Sequence, residues 1–164
     1  MPDEKFGGGE IGRAALAVAI AELNAGAQEI GGNNCGPWVK KYLNGLAEEV
    51  SSWCAGFVSY CYFNSGFAMP FNYTVSARDL CNQFKANNWA FILNDSITPE
   101  PGDFVFWWRN HPQSWKGHVG LVHHSANGFL YTIEGNRTPK VEGFSHRLCQ
   151  LTSLLAFGRV PNQH

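Results

Sequence analysis

Gly117-His118-Val119-Gly120-Leu121-Val122-His123-His124-Ser125-Ala126-Asn127-Gly128-Phe129-Leu130-Tyr131-Thr132-Ile133-Glu134 places two β-rich runs on either side of an Asn-Gly pair. Asn-Gly is the strongest short hairpin signal, because both central positions of a two-residue turn need positive φ. Upstream, Asp103-Phe104-Val105-Phe106-Trp107-Trp108 is also β-rich and follows the turn Pro99-Glu100-Pro101-Gly102. Downstream, short strands are expected at 141–148 and 154–160. The first half has a different period. Leu16, Ile20, Leu23 and Ala27 recur at helical spacing and predict a helix over 13–30, stopped by Gly31-Gly32. After a turn at Asn33-Asn34, a second helix is expected from Pro37, which suits a first-turn position, to about Leu46. Trp53 to Phe63 reads as a buried helix capped by Ser51 or Ser52, and Ala77 to Ala86 as a fourth. Helices first and antiparallel strands second predict an α+β domain, with N-terminal helices packed on a C-terminal sheet.

The chain has 164 residues, enough for one domain with a real core and too few for two. Residues 1–10 read as a flexible lead-in and 11–164 as the domain. Apolar residues make up 45% and charged residues 15%, a balance that excludes disorder. The net charge of −1 leaves no basic surplus for a nucleic-acid backbone. No apolar run approaches a membrane span, and the mixed-charge start Met1-Pro2-Asp3-Glu4-Lys5 is not expected to serve as a secretory leader. Five cysteines without a C-x-x-C pair fit neither a complete disulfide framework nor a structural zinc site, so at least one thiol is unpaired in the monomer. Six tryptophans allow an aromatic groove for a glycan or peptide, with Trp53, Trp107 and Trp108 as its expected lining.

Cys54 falls in the first helical turn after Ser51-Ser52. Free N–H groups and the helix dipole there favour the thiolate, the nucleophilic form of cysteine. Cys61, seven residues on, shares that face but lies deeper. A thiol nucleophile needs a base from elsewhere in the fold, and His118, at the start of a central strand between small residues, is the candidate. His123 and His124 sit near the other end of that strand, His111 lies in a polar loop, and His146 and His164 have no supporting context. A third group must hold the imidazole in its productive tautomer. Glu134 and Asn136, flanking Gly135 at the end of the next strand, both qualify.

Trp53-Cys54-Ala55-Gly56-Phe57-Val58, Gly102-Asp103-Phe104-Val105-Phe106, Gly117-His118-Val119-Gly120-Leu121-Val122 and Thr132-Ile133-Glu134-Gly135-Asn136 occur in that order. Together they resemble CHAP domains, the cysteine, histidine-dependent amidohydrolases/peptidases of the papain-like group. The resemblance spans about Ala15 to Val160. It implies a papain-like fold and cleavage of peptidoglycan at the glycan–peptide amide or within the peptide. The implied nucleophile is Cys54, the base His118, the carboxylate Glu134 and the polar helper Asn136, working through a thioester. Many relatives carry Gln just before the nucleophile, where this chain has Trp53. Some bind calcium through an Asp-rich loop that has no counterpart here, so neither metal nor cofactor is expected.

Two other classes are weighed. A zinc hydrolase would draw on His118, His123 and His124, but adjacent strand histidines point to opposite faces. A non-catalytic wall-binding module would leave Cys54, His118 and Glu134 without employment. The expected setting is a monomeric bacteriolytic enzyme made in the cytoplasm without a leader and acting on the wall in the periplasm of a host or target cell. Two roles fit: a phage endolysin, or an effector toxin matched by an immunity protein.

Overall fold

The computed structural model describes residues 9–48, 51–93 and 97–162. Four helices precede or flank a six-stranded antiparallel sheet of order β1-β6-β2-β3-β4-β5. The helices are α1 (Glu10–Asn24), α2 (Pro37–Leu43), α3 (Cys54–Phe63) and α4 (Ala77–Ala86). The strands are β1 (Ala90–Phe91), β2 (Phe104–Trp108), β3 (Gly117–Ala126), β4 (Phe129–Glu134), β5 (Glu142–Arg147) and β6 (Leu154–Gly158).

The predicted hairpin is present: β3 and β4 meet at Ala126↔Phe129, and Asn127 (φ 53°) and Gly128 (φ 81°) supply the left-handed pair its turn requires. The helix ends differ from expectation. α1 starts at Glu10 rather than 13 and stops at Ala25, because Gly26 (φ 80°) turns the chain before Gly31 can. Residues 1–8 of the expected lead-in lie outside the described residues, but Gly9 is buried and packs so closely that a Cβ there would meet the Val160 carbonyl at 2.6 Å. α2 ends at Asn44, whose left-handed φ of 51° terminates it before Leu46.

α3 is apolar all round and buried on nearly every side, as a central helix must be. α2 lies so close to it that a Cβ on Gly56 would stand 2.6 Å from the Tyr42 carbonyl oxygen. The main core fills the space between the helices and one sheet face, with Phe57, Tyr62, Phe84, Phe104, Phe106 and Leu121 among its members. Val105, Trp107, Val122, Leu130 and Phe157 form a smaller cluster on the other face, as strand alternation requires. Asp103, just ahead of β2, is buried and gripped by Arg159, which donates from Nε to Oδ1 at 2.9 Å and from Nη2 to Oδ2 at 2.7 Å. That pairing ties the start of β2 to the chain beyond β6.

Ladder irregularity between Val122 and His124 marks a bulge in β3. It corrects the expectation that His123 and His124 diverge, since their Nδ1 atoms lie 2.8 Å apart. Among the described residues, no group of three or more His, Cys, Asp or Glu side chains is placed to hold a metal ion. No described helix is long and apolar enough to cross a membrane.

Candidate active site

Cys54 is the first residue of α3. The residue before it, Trp53, is the N-cap but offers no side-chain acceptor, which corrects the expectation of a Ser51 or Ser52 cap. The first-turn N–H groups are therefore free of a side-chain cap, and that of Ala55 is given to the Cys54 sulfur. A second donor comes from the sheet. The β3–β4 ladder begins only at Leu121↔Ile133, so the strands have parted by Val119, whose N–H also points to the sulfur. The thiol thus sits in the fork between two strands, at the head of a buried helix.

Trp53 holds that position. Its ring stacks on Tyr42 with centroids 5.7 Å apart, its indole N–H donates to Glu29 at 3.0 Å, and a Cβ on Gly135 would touch its ring at 2.5 Å. It is fully buried and has no surface to offer a substrate, so its expected role as a groove wall gives way to an anchoring one. Trp107 is buried as well, between the rings of His118 (5.5 Å) and His146 (5.3 Å). Trp108, next along the strand and so on the opposite face, is half-buried.

His118 enters from β3, paired across to Trp107. Its Nε2–H donates to Glu134 Oε1 at 2.8 Å, which leaves Nδ1 for the Cys54 side chain, with which it is hydrogen-bonded. Burial alone would lower the pKa of His118. The charge of Cys54 and its hydrogen bond, followed by the Glu134 carboxylate, reverse this and raise it to about 9. Burial likewise pushes the Cys54 thiol up, but the charge and hydrogen bond of His118 and the N–H groups of Val119 and Ala55 outweigh it, and the pKa is lowered. Both directions favour a thiolate–imidazolium pair. By contrast, burial without such partners raises the pKa of Cys61.

Glu134 is completely buried and fully occupied. Oε1 accepts from His118 and from Arg137 Nη1 at 2.9 Å, while Oε2 accepts from Thr132 Oγ1 and from His146 Nε2 at 2.9 Å. Burial opposes its ionisation, but the hydrogen bonds of His118 and His146, then the His118 charge and the Thr132 hydroxyl, hold its pKa far below the usual carboxylate range. Between the two residues left open by the sequence, Glu134 is the one that meets the ring. Asn136 occupies the turn that follows, half-buried with a left-handed φ of 67°, and its side chain makes no hydrogen bond to His118.

His146, Arg137 and Thr132 are site residues that sequence reasoning missed. Thr132 alone carried a usable signal, being two residues from Glu134 and hence on the same strand face. His146 reaches Glu134 through the β4–β5 register, which no local pattern encodes. Gly120 explains the small residue two positions after His118: the Glu134 side chain lies across it, and a Cβ there would stand 2.6 Å from Glu134 Cγ. Gly120→Ala is expected to lower kcat by about 100-fold through displacement of the carboxylate, with the melting temperature changed by only a few degrees. Steady-state kinetics beside a thermal melt check this.

A cavity of about 330 Å³ opens onto Cys54, bordered by Ser51, Ser52, Val75, Trp115 and Gly117. Trp115 is 80% exposed at this cavity and was not among the tryptophans expected to line a groove.

The sequence matches the model of the CHAP domain over residues 31–136, well over half of the chain. Among solved structures, Ly7917, determined with the hydrolysing product of MDP, aligns with a TM-score of 0.52 at 14% identity over 92% of this chain and 62% of that one. NlpC2 from Trichomonas vaginalis aligns with a TM-score of 0.49 at 16% identity over 93% of this chain and 47% of its own. The chain therefore spans less than two thirds of either structure. None of the curated proteins matches it. The likeness to Ly7917 establishes the papain-like α+β fold, and the family match, with its cysteine, histidine and carboxylate drawn together in one site, establishes that this chain belongs to the CHAP domain family.

Proposed function

We propose that the protein hydrolyses an amide or peptide bond of peptidoglycan, with Cys54 as nucleophile, His118 as acid–base and Glu134 as the positioning residue. The observation that carries this is the buried Cys54–His118–Glu134 alignment bordering an accessible cavity, with the thiol pKa lowered and the imidazole pKa raised. The Cys54 thiolate attacks the carbonyl carbon, and its electron pair passes to the carbonyl oxygen. The Cys54 backbone N–H, at the uncapped helix head, stabilises that oxyanion. The C–N bond then breaks, His118 gives its Nδ1 proton to the departing amine, and a thioester remains. Water, deprotonated by His118, attacks the thioester, and the carboxylate product leaves as the thiolate reforms.

Incubating purified peptidoglycan with the protein and following turbidity and released fragments by mass spectrometry tests the activity and names the bond. Sensitivity to a thiol alkylator supports the cysteine route, whereas alkylation without effect on cleavage would sink it. The proposal covers both the endolysin and the effector setting; a cognate inhibitor protein that occupies the Cys54 cavity would mark the effector.

The pH dependence has a defined sign. The active pair requires an ionised thiol and a protonated imidazole. Activity is expected to rise with pH as the thiol ionises, below its ordinary range, and to fall as His118 loses its proton near pH 9. A kcat/KM profile from pH 4 to 11 measures both limbs.

A further inference from the structure

A second cavity, of about 230 Å³, shares no lining residue with the one at Cys54. Arg109, Arg137, Arg147 and His146 surround it, with Thr152 and Ser153 completing the polar wall. The segment 109–116 joins the two cavities: Arg109 lines one, Trp115 and Lys116 line the other, and Arg109 N–H donates to the Lys116 carbonyl at 3.2 Å.

The charges in this cavity do not balance. Glu134 is the carboxylate that reaches it, through Arg137, and it is already shared with His118 and His146. Among the described residues, no carboxylate pairs with Arg109 or Arg147. Arg109 donates to the Trp108 carbonyl, whereas the exposed Arg147 pairs across to Phe129 and lays its guanidinium over that ring, so its charge sits on the sheet face opposite His146. Arg109 is half-buried, and this burial, then the charge of Arg137, work against its protonated form, while the charges of Cys54 and Glu134 favour it without reversing the balance. In a chain of net charge −1, this is a local concentration of positive charge that the shared Glu134 carboxylate offsets only in part. It is also close to the chemistry. Arg137 shares Glu134 Oε1 with His118, and Arg109 lies within electrostatic range of Cys54.

We propose that this cavity is a carboxylate-binding subsite that seats a free carboxylate of the peptide being cut, and so selects substrate by charge. The inference rests on the peptidoglycan assignment above, whose stem peptides carry such carboxylates. Guanidinium groups recognise a carboxylate through paired N–H donors, and the hydroxyls of Thr152 and Ser153 add further donors. The volume suits one carboxylated residue rather than a polymer.

The test compares a synthetic muramyl peptide bearing free stem carboxylates with the same compound carrying carboxamides. For the unmodified protein, KM is expected to be at least about tenfold lower for the carboxylate form. In Arg109→Gln this ratio falls toward one, whereas Arg147→Gln, whose charge lies on the opposite sheet face, keeps it. Inorganic phosphate, added as a competing anion, should raise KM for the carboxylate substrate alone. Equal KM values for the two compounds in the unmodified protein would overturn the proposal, as would an Arg109→Gln protein that keeps the full preference, or phosphate that binds without touching the preference. Calorimetric binding of both compounds to Cys54→Ala separates this idea from the function on which it rests. A carboxylate preference in binding, with no cleavage by the unmodified protein, sinks the hydrolase and keeps the subsite. Cleavage of both compounds, with no preference in binding, does the reverse.

Discussion

Cys54→Ala is expected to abolish hydrolysis, a fall on the order of 10⁴- to 10⁶-fold, since removing a nucleophile that works as a unit with its base leaves only binding and oxyanion stabilisation. The fold should survive. Alanine is a good helix former, the site is the head of α3 rather than its middle, and Trp53 and Gly135 hold the surroundings in place. A second consequence distinguishes chemistry from misfolding. The Cys54 charge is the largest influence raising the His118 pKa, so in Cys54→Ala that pKa should drop well below about 9. An NMR titration of the imidazole reads the drop directly. Wild-type rates in Cys54→Ala would remove the nucleophile assignment outright.

Glu134→Gln keeps the size of the side chain and removes its charge. In the native site both carboxylate oxygens accept, from His118, Arg137, Thr132 and His146. An amide has one NH₂ group, which must face donors wherever it points. We expect kcat to fall about 10²- to 10⁴-fold, less than for loss of the nucleophile, because the base is misplaced rather than deleted. The alkaline limb of the pH profile should also move to lower pH, because Glu134 supports the imidazolium; a purely structural role would not shift it. Stability changes with a definite sign. The depressed pKa of Glu134 contributes stability above the ordinary carboxylate value, and this is lost as pH falls below it. The raised pKa of His118 contributes below its ordinary value, and this is lost as pH climbs through about 9. Thermal melts of both proteins from pH 3 to 10 should therefore draw closer toward the acid end without meeting, because the folded-state carboxylate stays ionised at pH 3.

The hairpin, the buried helix and the cysteine–histidine pairing were legible because each rests on a local signal: the left-handed demand of Asn127-Gly128, the unbroken apolar run after Cys54, and the small residues around His118. Helix ends were misjudged where two glycine signals competed, Gly26 acting before Gly31-Gly32. β1 has only two residues and no period to detect. Long-range register was invisible, and with it His146, which meets Glu134 only because β5 pairs with β4. Tryptophan count did not report tryptophan position. Trp53 and Trp107 became supports for the cysteine and the imidazole, while Trp115, in an unpatterned loop, is the exposed one at the Cys54 cavity.

The separation of β3 from β4 on the Val119 side of Leu121 sets strength against work in this domain. Each further rung of pairing there would stiffen the sheet, yet it would claim the amide that now serves the sulfur and zip closed the notch where the nucleophile lodges. Selection for hardiness alone would thus tend to silence the protein, and heat-tolerant variants are better sought at the far tip of the same hairpin.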